Sequence, residues 1–142
     1  MILPDINLLV YAYNSDAPGH RRAKAWWEAC LSGDQPVGLP WAVVLGYLRL
    51  MTSRSVLVDP FAPQEALGHI RSWLERSQVQ ILQPGPRHLE LLESLMMGLQ
   101  VSGSLTTDTH LAALAIEHQA ELHSNDGDFS RFPGLRWSNP LQ

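Results

Sequence analysis

One lysine (Lys24) and one cysteine (Cys30) occur in the 142 residues of this chain. A lone cysteine excludes an internal disulfide and a thiolate zinc cage. Ten basic residues stand against fourteen acidic ones, for a formal net charge of −4. That balance argues against a protein that coats nucleic acid through a cationic surface. The N-terminus has no basic region leading into a long apolar stretch and a small-residue cleavage site, and no run is long enough to span a bilayer. A soluble, cytoplasmic protein is expected. There is no phosphate-cradling glycine loop and no G-x-S-x-G elbow, and the six histidines form no H-E-x-x-H pair. His110 and His118 share a helix at poor spacing for chelation, so satisfied or surface positions are expected for both. Repeats, low-complexity segments and internal boundaries are also missing, which leaves a single domain over residues 1–142.

What is present is an ordinary apolar fraction of 45% and a rather low charged fraction of 17%. The low charge leaves room for a face buried against a partner or a second copy. Short apolar runs alternate with amphipathic ones. Strands are expected at Met1–Leu3 (ending at Pro4), Val37–Leu39, Val79–Leu82, Ala120–Ser124 and Leu135–Trp137. Helices are expected at Ile6–Tyr13, His20–Leu31, Trp41–Met51, about Pro63–Arg76, Arg87–Leu99 and Thr107–His118. In the third helix Val44, Leu45 and Leu48 point inward; in the fifth, Leu89, Leu92, Leu95 and Met96 form the apolar stripe. Trp26 and Trp27 cannot both face one side of their helix, so one is exposed or covered by a partner. The alternation is that of an α/β sandwich, three layers around a mostly parallel sheet. Such sheets bind ligands beyond the carboxyl ends of their strands.

Three aspartates lie where apolar segments break into turns or helix starts: Asp5, Asp108 and Asp126. Taken singly, each has a plain explanation. Asp5 can cap the first helix, Asp108 can complement a helix dipole, and Asp126 and Asp128 can form a turn around Gly127. Taken together, three carboxylates at element ends repel one another unless a divalent cation sits among them, and hard cations prefer oxygen ligands. The reading is metal-assisted phosphodiester hydrolysis. Asp5 and Asp108 are the direct ligands, Asp126 binds a second ion or orients water, and Asp128 is the weaker fourth candidate.

Three strings carry a resemblance: Ile2-Leu-Pro-Asp5-Ile-Asn-Leu-Leu-Val-Tyr-Ala; Leu39-Pro-Trp-Ala-Val-Val-Leu-Gly-Tyr-Leu-Arg49; and Thr107-Asp108-Thr-His-Leu-Ala-Ala-Leu-Ala with Ser124-Asn-Asp126-Gly-Asp128-Phe-Ser-Arg-Phe-Pro-Gly-Leu. Over essentially its whole length the chain resembles the PIN-domain ribonucleases, specifically the VapC toxins of type II toxin–antitoxin modules in their mycobacterial-type branch. The resemblance implies a PIN-like fold and an endoribonuclease dependent on Mg²⁺, with Mn²⁺ as substitute, that inhibits translation by cutting structured RNA such as tRNA or rRNA loops. It also implies a small VapB-like antitoxin as partner, and a homodimer or a larger toxin–antitoxin assembly. Asp5, Asp108 and Asp126 fall on the family's acidic positions, with Asp128 close to the last.

One departure stands out. Many PIN domains carry a glutamate on the helix after the second strand, about where Gly46 lies here. Either three acids and water suffice, or the chain is a weakened PIN-fold module that serves as an antitoxin- or RNA-binding scaffold. Arg49 and Arg54 are candidates for phosphate contacts. Tyr11, Trp26, Trp27, Leu48 and Met51 are candidates for lining a groove that accepts an amphipathic antitoxin segment.

Overall fold

The computed structural model describes residues 1–142. Five short strands form one sheet: β1 (Ile2–Pro4), β2 (Val37–Pro40), β3 (Val79–Leu82), β4 (Glu121–His123) and β5 (Arg136–Ser138). Their order is β3-β2-β1-β4-β5, and every neighbouring pair is parallel. Six helices cover the two faces: α1 (Ile6–Tyr13), α2 (His20–Ser32), α3 (Trp41–Met51), α4 (Pro63–Leu74), α5 (His88–Leu99) and α6 (Thr106–Glu117). The architecture is thus the expected three-layer α/β sandwich, with a sheet that is wholly parallel. β1 and β2 are buried along their whole length, which is why they read as continuous apolar runs without alternation.

The chain leaves β1 toward β2 on one side and later returns to place β4 on the other. Between β1 and β4 the strand order therefore reverses, and a crevice opens beyond their carboxyl ends. Register aligns the two ends: Pro4 lies opposite His123, and the Asp5 amide donates to the His123 carbonyl at 2.9 Å. The residues that follow, Asp5 on one strand and Ser124 on the other, enter the crevice side by side.

Helices α1 to α4 are pinned by an aromatic cluster. Tyr47 and Trp73 meet edge to face at 4.8 Å between ring centres, Trp27 meets Trp73 at 5.4 Å, and Tyr13 meets Tyr47 at 5.7 Å. Trp73 Nε1 donates to the Tyr13 hydroxyl at 2.7 Å. On the other side, α5 is tied to α6 through His88, whose Nε2 meets His110 Nδ1 at 2.8 Å and whose Nδ1 meets Glu117 at 3.3 Å. His118 is satisfied by the Gln83 carbonyl at 2.8 Å.

Several expectations need correction. Leu45 does not face inward; it is 59% exposed, and α3 buries Val43, Val44, Tyr47 and Met51 instead. Leu89 is 76% exposed, leaving Leu95 as the buried member of the α5 stripe. α4 stops at Leu74, two residues before Arg76. Of the tryptophan pair, Trp27 is core, while the half-buried Trp26 donates its indole N–H to His123 Nδ1 at 3.0 Å.

Gly46 is a packing residue. A Cβ built there would lie 2.5 Å from Ile6 Cδ1 and 3.1 Å from Ile6 Cγ1, so its missing side chain is what lets α3 close on α1. Gly46→Ala is expected to lose about 1 kcal/mol, because overpacking outweighs the gain in helix propensity. Gly46→Glu is expected to lose about 3 kcal/mol or more, because a charge is added at a buried contact. Urea denaturation reads both; a Gly46→Glu chain as stable as the parent would mean that α1 and α3 part easily at this point.

Candidate active site

Each aspartate has the local role its sequence context suggests. Asp5 is the N-cap of α1: its Oδ1 accepts from the Ile6 amide at 2.7 Å. Asp126 Oδ1 accepts from the Asp128 amide at 2.9 Å, closing the turn that opens the short 3₁₀ segment Gly127–Arg131. Asp108 lies in the first turn of α6. The capping readings are therefore correct, and none of them accounts for what the side chains do to one another.

Ser124 joins the first two. It is fully buried, and its hydroxyl donates to Asp5 Oδ2 at 2.7 Å while accepting from the Asp126 amide at 2.9 Å. Asn7 Nδ2 also reaches the Ser124 oxygen, at 3.4 Å. One hydroxyl thus fixes the orientation of the Asp5 carboxylate and sets where the Asp126 backbone begins.

The electrostatics are those of uncompensated negative charge. Burial raises Asp5 above the usual carboxylate value; bonds from Ser124 and Ile6 oppose the rise, and the charge of Asp126 adds to it. Asp108 is pushed up to about 6, first by burial and then by the charges of Asp5, Asp126 and Asp128. All four carboxylates therefore share one field. None of the ion pairs in the chain involves any of them.

The donors are all carboxylate oxygens, a hard set suited to Mg²⁺ or Mn²⁺ and unsuited to a soft ion. As the side chains stand, no three acidic, histidine or cysteine groups close around a single point. The arrangement fits an ion held by one or two carboxylates with water completing its shell, which is how Mg²⁺ usually binds; it does not fit a closed protein cage.

A pattern describing the PIN domain matches residues 2–135. This chain belongs to the PIN-domain family, in its VapC branch. Ribonuclease VapC33 of Mycobacterium tuberculosis is 45% identical over 142 residues, covering 100% of this chain and 99% of the relative. Ribonuclease VapC37 of the same organism is 34% identical over 140 residues, covering 99% and 97%. The fold matches the solved structure of VapBC-1 from nontypeable Haemophilus influenzae at a TM-score of 0.71 and 16% identity, with 100% of both chains covered. It also matches VapC20 of Mycobacterium tuberculosis, described as a sarcin-ricin loop cleaving toxin, at a TM-score of 0.63 and 19% identity, covering 96% and 99%.

In this PIN domain the other expected site residues fare differently. Arg49 and Arg54 are exposed and free of ion pairs. Arg49 is eight residues beyond Trp41, the first residue of α3, so it lies about 12 Å along that helix from its start. Of the five groove candidates, Trp27 and Met51 are buried in the core. Tyr11 and Trp26 border two different cavities, and Leu48 is half-buried on α3, so no single groove gathers the five. Ser124 was not foreseen. Its only signal in the sequence is its place at the end of a strand, two residues before Asp126.

The shared field gives a sign that can be tested. A carboxyl whose value is raised on folding stabilises the fold below its ordinary value near 4, and that contribution is lost as pH rises through about 6. Asp108→Asn should therefore stabilise the protein in EDTA at pH 7.5, by roughly 1 kcal/mol after allowance for solvent screening of this half-exposed group. The difference should vanish toward pH 4. Denaturation curves at the two pH values measure it; equal stability at pH 7.5 would mean that the carboxylates do not feel one another.

Proposed function

We propose that this protein is the toxin of a type II toxin–antitoxin pair: a metal-dependent endoribonuclease that cuts structured RNA, with tRNA or rRNA loops as the substrate class, and thereby inhibits translation. The observation that carries the reading is the Asp108 carboxyl, half-buried and surrounded by the charges of three other carboxylates without a cation from the protein. Such a site is stable only when partly protonated or when it holds a positive ion. Relatives named as ribonucleases over the full length of the chain support the same conclusion.

Asp5 and Asp108 are the direct metal ligands in this reading. Asp126 holds a second ion or orients water, and Asp128 assists at the exposed rim. When bound, Mg²⁺ or Mn²⁺ supplies charge neutralisation at the scissile phosphate and a more acidic water. Ser124 is a positioning residue that keeps one Asp5 oxygen committed and the carboxylate plane fixed. Arg49 and Arg54 take phosphates farther along a long RNA. In this reading three acids and water suffice, and Gly46 serves the packing of α3 on Ile6.

The partner is a small antitoxin. A structural neighbour from Klebsiella pneumoniae is described as a toxin–antitoxin complex, and others as VapBC. Trp41 and Leu45, four residues apart on α3 and 50% and 59% exposed, give that helix an apolar outer face for the antitoxin or for a second copy of the chain. No helix is long and apolar enough to cross a membrane.

With Mg²⁺ or Mn²⁺ present, the protein should cut a structured RNA, and Asp5→Asn and Asp108→Asn should each lower the rate at least about a hundredfold. Full-rate cleavage by both variants would sink this mechanism. Ser124→Ala should lower apparent metal affinity and rate about 10- to 100-fold, the scale for an outer-shell partner. Calorimetry with Mn²⁺ and cleavage kinetics check the two effects separately; unchanged Mn²⁺ affinity would remove Ser124 from the site.

A further inference from the structure

Beside the acidic crevice lies a cavity of about 570 Å³, bordered by Tyr11, Pro18, Gly19, Arg22, Asn125 and Leu141. It is joined to the carboxylates by a continuous set of bonds. Asn125 immediately precedes Asp126, and its amide N–H reaches Asn7 Oδ1 at 3.5 Å. Asn7 in turn meets the Ser124 hydroxyl that holds Asp5. The cavity and the candidate reaction centre thus share one wall.

Three features of that wall differ in chemistry and face the same space. Tyr11 presents an aromatic ring from α1, and its backbone carbonyl is fixed by His20 Nδ1 at 2.8 Å. Arg22 donates one N–H to the Leu141 carbonyl at 2.7 Å and has no carboxylate partner, so the rest of its fork is uncommitted. Asn125 accepts from Asn139 Nδ2 at 3.0 Å through its side-chain oxygen, which leaves the amide nitrogen as a donor. The floor is Gly19, where a Cβ would come 3.1 Å from Leu141 and 3.8 Å from Tyr11. Gly19 is also the N-cap of α2 and supplies no side-chain oxygen to that helix end, which leaves its positive pole open to an anion.

We propose that this cavity is a nucleotide subsite. It takes one unpaired nucleotide of the RNA next to the scissile phosphate, with the base stacked on Tyr11, its edge read by Asn125 and its phosphate held by Arg22 and the start of α2. The proposal rests on the ribonuclease reading above. Stacking, a guanidinium on phosphate and an amide on a base edge are the contacts by which single-stranded RNA is recognised. A cation at this place has a further use: the neighbouring carboxylates repel RNA, and Arg22 is the basic residue in the cavity wall that offsets them. A segment of the antitoxin is the competing occupant.

The test uses a fluorescein-labelled single-stranded RNA of mixed sequence, bound to the full-length protein in EDTA and followed by anisotropy. Tyr11→Leu should weaken binding at least about fivefold, and Tyr11→Phe should restore it. Arg22→Gln, an exposed change, should lower the slope of log affinity against log salt by about 0.7. Arg71→Gln, an exposed arginine on α4, serves as the charge control and should change nothing. Cleavage of an RNA library in Mn²⁺ should show a base preference at one position beside the cut, flattened by Tyr11→Leu and Asn125→Ala. Unchanged affinity and preference in these variants would overturn the subsite, while loss of cleavage in Asp5→Asn would leave the ribonuclease reading standing. RNA bound through Tyr11 and Arg22 but never cut would overturn the ribonuclease reading and keep the subsite; a protein that neither binds nor cuts RNA would overturn both. Variants that bind RNA normally but lose a co-expressed antitoxin would assign the cavity to the protein partner and overturn the proposal.

Discussion

Repulsion among four carboxylates is the constraint around which the crevice is organised. Left in water, Asp5, Asp108, Asp126 and Asp128 would separate. The fold prevents this by placing two of them on backbone that cannot move apart: Asp5 continues β1, Asp126 follows β4, and those strands are adjacent and in register. The Ser124 hydroxyl then spans the two loops. Parallel pairing, buried on both faces, supplies the stability against which this local strain is held. The Asp108 carboxyl is raised first by its burial and then by that opposition.

The two helix-end aspartates show how one residue serves both folding and chemistry. A carboxylate has two oxygens. Asp5 uses one for the Ile6 amide, which caps α1, and the other for Ser124. Each oxygen accepts one bond and keeps a further lone pair, so capping fixes the carboxylate plane without exhausting its acceptors. Asp126 repeats the scheme with the Asp128 amide. A capping role for such an aspartate therefore does not exclude a second one, and local propensity alone could not decide between them.

Much of the architecture was legible because its signals are local. Short apolar runs at Met1–Leu3, stopped by Pro4, and at Val37–Leu39 marked central strands, and helical spacing marked α1, α2 and α6. The acidic residues were legible because each ended such an element. What escaped depends on three-dimensional closeness. Leu45 and Leu89 fit an inward stripe by spacing, yet α3 and α5 turn them outward because Val43, Tyr47 and Leu95 fill the core first. Trp27 and Met51 looked like surplus apolar surface and are instead core. Gly46 read as a missing acid and proved to be the point where α1 meets α3. Ser124 carried no periodic or compositional signal, since a serine at a strand end is ordinarily a turn residue.

The site is uneven in a way that bears on its chemistry. Asp5 is buried and doubly hydrogen-bonded, whereas no hydrogen bond restrains the half-exposed Asp108 carboxylate. A reaction centre gains from donors already in place, because reorganisation at the moment of reaction then adds little to the barrier. Yet a site made wholly of fixed like charges would resist folding without its ion. Dividing the roles eases the conflict: Asp5 is held by its own hydrogen bonds, and Asp108, raised to about 6, is the carboxyl that takes up a proton most readily as pH falls. The charge that makes the crevice useful is thus tolerated by the fold through one carboxyl that is able to give it up.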